Sequence, residues 1–246
     1  MELEFLILIS TILFFAALIH GSTGFGFPMI STPLLAFSVD IQTAIIYTLI
    51  PTLLVNIVSI STEGNFLHAF KRFWPLATYA GLGSIIGTLF LIGFNSDFFK
   101  LLLAFAILSY LIMDMIKINL IWIRKIPRLS QAIFGVSAGL LGGLTNAMGP
   151  VLMIYTLESK FTKKEIIQAS NICFLVGKIF QIILFSFASL FTFKEIGISS
   201  IGLVSVGLAL FIGVKIKGLI NPILYKKIVK IILLVISITL IIKYIF

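Results

Sequence analysis

Cysteine, histidine and charge are the scarce materials of this chain. Of its 246 residues one is cysteine, Cys173, and it lies inside an apolar run. A disulfide framework and a cysteine-built metal site are therefore excluded. The two histidines, His20 and His68, fall in no cluster with metal-ligand spacing, so neither metal nor cofactor is expected. Charged residues make up 11% of the chain, and none of the acids stands near the centre of an apolar run. Without paired embedded acids or a nucleophile–base pair at recognisable spacing, an intramembrane enzyme is not expected. No nucleotide-binding motif is present. The start, Met1-Glu-Leu-Glu4, lacks the basic stretch and the small-residue cleavage site of a secretory signal peptide.

Apolar residues, by contrast, are plentiful. Sixty per cent of the chain is hydrophobic and the mean hydropathy is +1.20. One water-soluble core of this size does not hide so much apolar surface. The chain reads as an all-α integral membrane protein with the lipid bilayer as its surroundings. A net charge of +9 fits lysines and arginines gathered in cytoplasmic loops, and nucleic acid is not an expected partner. A homo-oligomer is compatible with the sequence but not indicated by it.

Hydropathy divides the chain into eight apolar blocks: Leu3–Phe37, Ile41–Ile60, Pro75–Phe94, Phe98–Ile116, Gln131–Leu157, Glu165–Phe191, Ile198–Val214 and Pro222–Ile245. Blocks one and five each contain a glycine-rich break that ends in proline. These are HGSTGFGFPMISTP, His20 to Pro33, and GVSAGLLGGLTNAMGP, Gly135 to Pro150. A shift of 122 residues lays Pro28 on Pro150, Asp40 on Thr162 and Asn56 on Lys178. Asp40 and Thr162 each precede a block whose helix they can cap. The order of features predicts two repeats, residues 1–123 and 124–246, within one membrane domain.

Charge separates two topologies. If all eight blocks crossed the membrane, eight basic residues would face one side and nine the other, which specifies no orientation. If blocks one and five are instead re-entrant hairpins, entering and leaving on one face, fourteen gather together. These are Lys71, Arg72, Lys117, Arg124, Lys125, Arg128, Lys160, Lys163, Lys164, Lys215, Lys217, Lys226, Lys227 and Lys230. Only Lys100, Lys194 and Lys243 remain opposite, with Lys178 inside the membrane, as the positive-inside rule expects. Each repeat then holds a hairpin plus three transmembrane helices, and the repeats are inverted. Both termini of this multi-pass cell-membrane protein then face outward. Single broken spans are the alternative, although block one, at 35 residues, is long against the roughly 20 that one crossing needs.

The stretch across the first break, Gly21-Ser-Thr-Gly-Phe-Gly-Phe-Pro-Met-Ile-Ser-Thr-Pro-Leu-Leu35, resembles the GxxGFGxxxxxxPLL signature of the sulfite exporter TauE/SafE family. The stretch across the second, Gly139-Leu-Leu-Gly-Gly-Leu-Thr-Asn-Ala-Met-Gly-Pro-Val-Leu-Met-Ile-Tyr155, resembles that family's GxxxGxxxxxGPxxxxY counterpart. Both sit at matching places in the two halves, so the resemblance covers essentially the whole chain. It implies export or uptake of small anions such as sulfite, sulfonates or related sulfur and carboxylate compounds. The second motif departs from the commoner family form. Thr145-Asn146-Ala147-Met148 stands where a glycine cluster usually precedes the proline, giving a bulkier and more polar lining.

The breaks themselves suggest chemistry. Unwound backbone at membrane depth leaves polar groups that protein, water or substrate must pair. Glycine allows positive φ and close approach to a ligand, and proline in the first turn removes an N–H that had no partner. Half-helices are expected to begin at Pro28 and Pro150, aiming N–H groups and positive dipole ends at the midplane as an anion site. Gly24, Phe25, Gly26 and Gly149 are expected to line it. For Gly81, Gly83, Gly87, Gly202, Gly207 and Gly213 close helix packing is the expectation. Ser22, Thr23, Thr145 and Asn146 are placed either to donate to an oxyanion or to cap a half-helix.

Lys178 stands thirteen residues from each end of block six. An ammonium there must find a partner or a watery cavity, or lose its proton. With no acid nearby, the counter-ion it suggests is the substrate. Asn171, Lys178 and Gln181 share one helical face, as do Thr48, Thr52 and Asn56 in the first half. His20 is the one mid-depth group able to carry a proton near neutral pH, with hydrogen bonding to nearby backbone the plainer role. The sequence thus points to a secondary transporter of small anions working by alternating access, its substrate between the two breaks and Lys178. An anion channel built from the same helix ends is the alternative.

Overall fold

Long runs of Leu, Ile, Phe and Ala without interior charge wind into helices, because backbone in lipid must satisfy its own hydrogen bonds. A computed structural model describes residues 3–94, 98–113, 120–217, 219 and 222–245. Over these, the order is α1 (Leu3–Thr23), α2 (Phe27–Leu35), α3 (Ile41–Thr62), α4 (Phe66–Phe94) and α5 (Phe98–Met113). Then come α6 (Trp122–Lys125), α7 (Pro127–Thr145), α8 (Gly149–Glu158), α9 (Lys163–Phe187), α10 (Phe193–Ile216) and α11 (Pro222–Ile245). Among the described residues, α1, α3, α4, α9 and α10 are long and apolar enough to cross a membrane, and α5 is a shorter apolar helix. Large apolar side chains cover the outside, with Phe193 94% and Phe187 86% exposed. Such a surface suits lipid and not water; this is a multi-pass membrane protein. Of the basic positions, Lys117 and the side chain of Lys226 lie outside the described residues.

The caps fall where the sequence puts them. Asp40 accepts the Thr43 N–H at 3.0 Å to start α3. Thr162 and Glu165 start α9 with a reciprocal pair of side chain–backbone bonds, satisfying donors that a helix start leaves open. The two breaks also appear: α1 stops before Gly24, and α7 stops before Asn146.

Two helix pairs dominate the packing, α4 against α7 and α1 against α10. Glycine is what lets them approach. A Cβ on Gly83 would strike the Val136 carbonyl, one on Gly87 the Leu140 carbonyl, and one on Gly139 the Ala80 carbonyl. In the other pair Gly21 and Gly213 face each other, and a Cβ on either would lie 3.0–3.1 Å from the other's Cα. Small residues at a membrane helix interface give this backbone-to-backbone contact its dispersion energy. Gly81 and Gly202 also pack, against Phe180 and Leu13. Gly207 does not, contrary to expectation: among the described residues nothing lies within 4 Å of where its Cβ would be.

Contacts along α1 and α3 fix their directions. Phe5 meets Tyr47 with ring centroids 6.3 Å apart, while His20, near the other end of α1, meets Ser59. The two helices therefore run the same way, and α2 with residues 36–40 carries the chain back. The second half behaves alike. Phe134 meets Tyr155 at 5.8 Å, and the Leu120 N–H donates to Glu158 Oε2 at 2.9 Å. The end of α8 thus returns to the stretch just before α7.

Ion pairs tie further helix ends together. Lys217, capping α10, pairs with Glu63, capping α3. Arg72 at the start of α4 pairs with Glu165 at the start of α9. At the opposite end of α3, Lys243 donates to the Phe37 carbonyl at 2.6 Å.

Candidate functional site

At the first break the chain turns through Gly24 and Gly26, with φ of 81° and 106°, a region L side chains avoid. Thr23 Oγ1 lies 2.8 Å from the Ile19 carbonyl and 2.7 Å from that of Phe25, so its one proton serves either. It also accepts the Phe25 N–H at 3.2 Å. Ser22 Oγ donates to the Ile19 carbonyl at 2.9 Å. The amide of Asn171, from α9, donates to the Gly24 carbonyl at 2.9 Å and to its own Ile167 carbonyl at 2.7 Å. Backbone left open by the unwinding is thus paired by a helix distant in sequence.

His20 closes the same corner. Its Nδ1 accepts the Phe27 N–H at 3.2 Å, and Nε2 lies 2.8 Å from Ser59 Oγ. With Nδ1 accepting, the ring proton of the neutral tautomer sits on Nε2 and is donated to Ser59. One N-terminal N–H of α2 is therefore taken by His20.

The second break turns on Asn146, which adopts the left-handed conformation at φ 68°, tolerated by Asn. Its Nδ2 donates to Thr32 Oγ1 at 2.7 Å and Thr48 Oγ1 at 3.0 Å. Thr145 Oγ1 donates to the Leu141 carbonyl at 2.7 Å. The residues just before α2 and α8, Gly26 and Met148, give no side-chain cap, and each helix carries its proline, Pro28 or Pro150, inside the first turn instead of at its first residue. Ser22, Thr23 and Thr145 bond backbone close by, and Asn146 reaches α2 and α3.

Lys178 is buried, 1% exposed. Its Nζ donates to Gln181 Oε1, and Gln181 Nε2 donates on to the Gly143 carbonyl at 3.3 Å. The lysine–glutamine pair therefore sits against the last turns of α7, beside the second break. Asn56 is fully buried, and neither of its amide atoms makes a hydrogen bond among the described residues. Asn146 Oδ1, Asn171 Oδ1, Ser170 Oγ and Thr88 Oγ1 are likewise buried without a hydrogen-bond partner among the described residues. Groups of that kind cost free energy unless a ligand or water serves them.

A cavity of about 410 Å³ opens onto the first break. Ser22, Thr23, Phe25 and Gly26 line it, with Met29 and Tyr110 as apolar wall and Lys163, Lys217 and Lys230 as its cations. Of the expected glycines only Gly26 faces it. Gly24 packs on Ile167, and Gly149 packs under Phe25 and Met29. Phe25 thus stands between the cavity and the start of α8, its ring also 6.4 Å from those of Tyr110 and Phe174. Lys178, Gln181, Asn56 and the second break lie off the cavity.

Sequence reasoning missed Lys163, Lys217, Lys230 and Tyr110 as lining residues. The three lysines entered only as loop charges, and no periodicity says which loops converge.

A family model described as Sulfite exporter TauE/SafE matches residues 9–240, nearly the whole chain. Comparison with curated proteins and with solved structures returned no match.

Proposed function

Because this chain belongs to the sulfite exporter TauE/SafE family and is thus a membrane transporter, we propose that it moves small sulfur or carboxylate oxyanions as a secondary transporter by alternating access. The observation that carries this is the cavity whose cations, Lys163, Lys217 and Lys230, lead to the glycine break at Gly26. An oxyanion entering there meets three ammonium groups, then the hydroxyls of Ser22 and Thr23. Phe25 covers Gly149 and bars the way to the second break. Beyond it lie Asn146, Gln181 and Lys178, a buried cation whose partner is a neutral amide. Substrate held between the breaks would supply the missing counter-charge.

Two inverted repeats, divided near residue 123, are supported by reciprocal packing. Exchanging α1–α5 for α7–α11 turns the pair α4–α7 into α10–α1, α4–α9 into α10–α3, and α2–α11 into α8–α5. It also turns the Gly87–Gly143 contact into Gly213–Gly21. Re-entrant hairpins are supported by the return of α2 and α8. Their arms are unequal, 21 and 9 residues in the first and 19 and 10 in the second. The ion pairs Lys217–Glu63 and Arg72–Glu165 gather basic loops on one face, which the positive-inside rule makes cytoplasmic. The cavity then opens to the cytoplasm, and both termini of this cell-membrane protein lie outside.

The test is counterflow in proteoliposomes with labelled sulfite, thiosulfate, a sulfonate and a short carboxylate. Saturable uptake driven by unlabelled anion inside is the expected result for at least one of them. Flux that neither saturates nor responds to internal anion indicates a channel, and chemically altered substrate an enzyme; either would overturn the proposal.

A further inference from the structure

Lys217 serves two partners. It lines the cavity, yet its ammonium is already engaged by the carboxylate of Glu63. Both side chains are largely withdrawn from solvent, 26% exposed for Lys217 and 15% for Glu63, so water screens this pair less than a surface one. Glu63 is held in place by its backbone. It caps α3, and Gly64 after it turns sharply at φ 140° towards α4. Among the described residues no acid lines the cavity itself; Glu63 acts on it only through Lys217.

We propose that Glu63 is a tethered counter-anion that arriving substrate displaces from Lys217. This rests on the oxyanion-transport proposal. A carboxylate and a substrate oxyanion brought to one ammonium repel each other, so the substrate gains only the difference between its own bond and the one it breaks. A carboxylate fixed to the same molecule competes at high effective concentration. Affinity is thereby held down and release made easier. When substrate leaves, Glu63 pairs with Lys217 again, and the substrate-free protein changes conformation without a bare cation at the cavity mouth. Glu63 is thus a residue that sets affinity and turnover, not one that binds substrate.

The test compares wild type with Glu63→Gln in proteoliposomes, using labelled sulfite in two modes: exchange against internal sulfite, and net efflux into anion-free medium. Glu63→Gln should lower the KM for exchange roughly five- to thirtyfold. Net efflux should slow relative to exchange, because the return step now leaves Lys217 unpaired. Lys217→Met should raise KM whether or not Glu63 is present. An unchanged KM in Glu63→Gln, with only a lower thermal midpoint, would reduce the pair to a structural clasp and overturn the proposal. Should Glu63→Gln not fold, Glu63→Asp keeps the charge with one methylene less of reach, and its KM should also fall. If wild type moves neither sulfite nor the other anions tried, the transport proposal fails and the competition built on it falls with it.

Discussion

Replacing Lys178 by methionine separates stability from transport, because the two respond differently. The side chain is 1% exposed in α9, and its partner is the neutral carbonyl of Gln181. Among the described residues no carboxylate pairs with Lys178 to offset the cost of taking an ammonium out of water. Exchanging buried ionic groups for apolar ones of similar volume is neutral or stabilising by about 1–4 kcal/mol, and methionine keeps the unbranched shape. Against that, Gln181 Oε1 loses its donor, a penalty of about 1–3 kcal/mol. The balance lies between about 3 kcal/mol of destabilisation and about 3 kcal/mol of stabilisation. At ~2–4 °C per kcal/mol for a chain of this size, the thermal midpoint should stay within about 12 °C of wild type in either direction. Transport responds more steeply and in one direction. Losing one partner of a desolvated, hydrogen-bonded charge pair costs about 2–5 kcal/mol, so anion counterflow should fall at least ~30-fold. Thermal unfolding in detergent and counterflow on the same preparation decide it. Undiminished flux removes Lys178 from the substrate path, and a midpoint lowered by more than about 12 °C makes it a structural residue.

Two other substitutions probe the packing. Gly139→Val sets a branched side chain against the Ala80 carbonyl and forces α4 from α7. Its cost should reach or exceed the about 1–3 kcal/mol typical of overpacking, read as a lower midpoint, while Gly207→Ala, with nothing within 4 Å, should leave it unchanged or slightly higher. Phe25→Ala removes the ring that covers Gly149, and anion flux should then lose its dependence on internal anion, as shown by vesicle swelling against counterflow.

Sequence made the helices and their interruptions legible because these depend on local chemistry. Asp40, Thr162, Pro28 and Pro150 act within a turn or two of where they stand, and the long apolar runs had little but helix open to them. Which glycines pack is partly legible: Gly83, Gly87, Gly139 and Gly143 recur at spacings of four, the period that lines one helix face. Gly207 carries the same residue type but points away from any neighbour, a fact of helix rotation set by the whole bundle. The cavity was not legible. Lys163 starts α9, Lys217 ends α10 and Lys230 lies inside α11, and only the tertiary fold brings them to one mouth. Buried Lys178 was found by its depth in an apolar run, whereas its bond to Gln181, one turn along, rests on a rotamer that spacing allows but does not require.

The asparagines at the breaks connect the site to motion. Asn171 on α9 holds the Gly24 carbonyl of the first break, and Asn146 of the second break holds Thr48 on α3. Under the two-repeat proposal each break is thus fastened to the long helix of the other half. A rotation of one half against the other cannot open one break and leave the other undisturbed. Both amides also have Oδ1 atoms with no partner among the described residues, and flipping Asn171 would set its oxygen against two carbonyls and lose both bonds. That oxygen is a fixed acceptor beside the first break, ready to pair with a donor that arrives when the halves move. Loss of one anchor, as in Asn171→Leu, would therefore loosen the coupling between the two breaks and not merely weaken one of them.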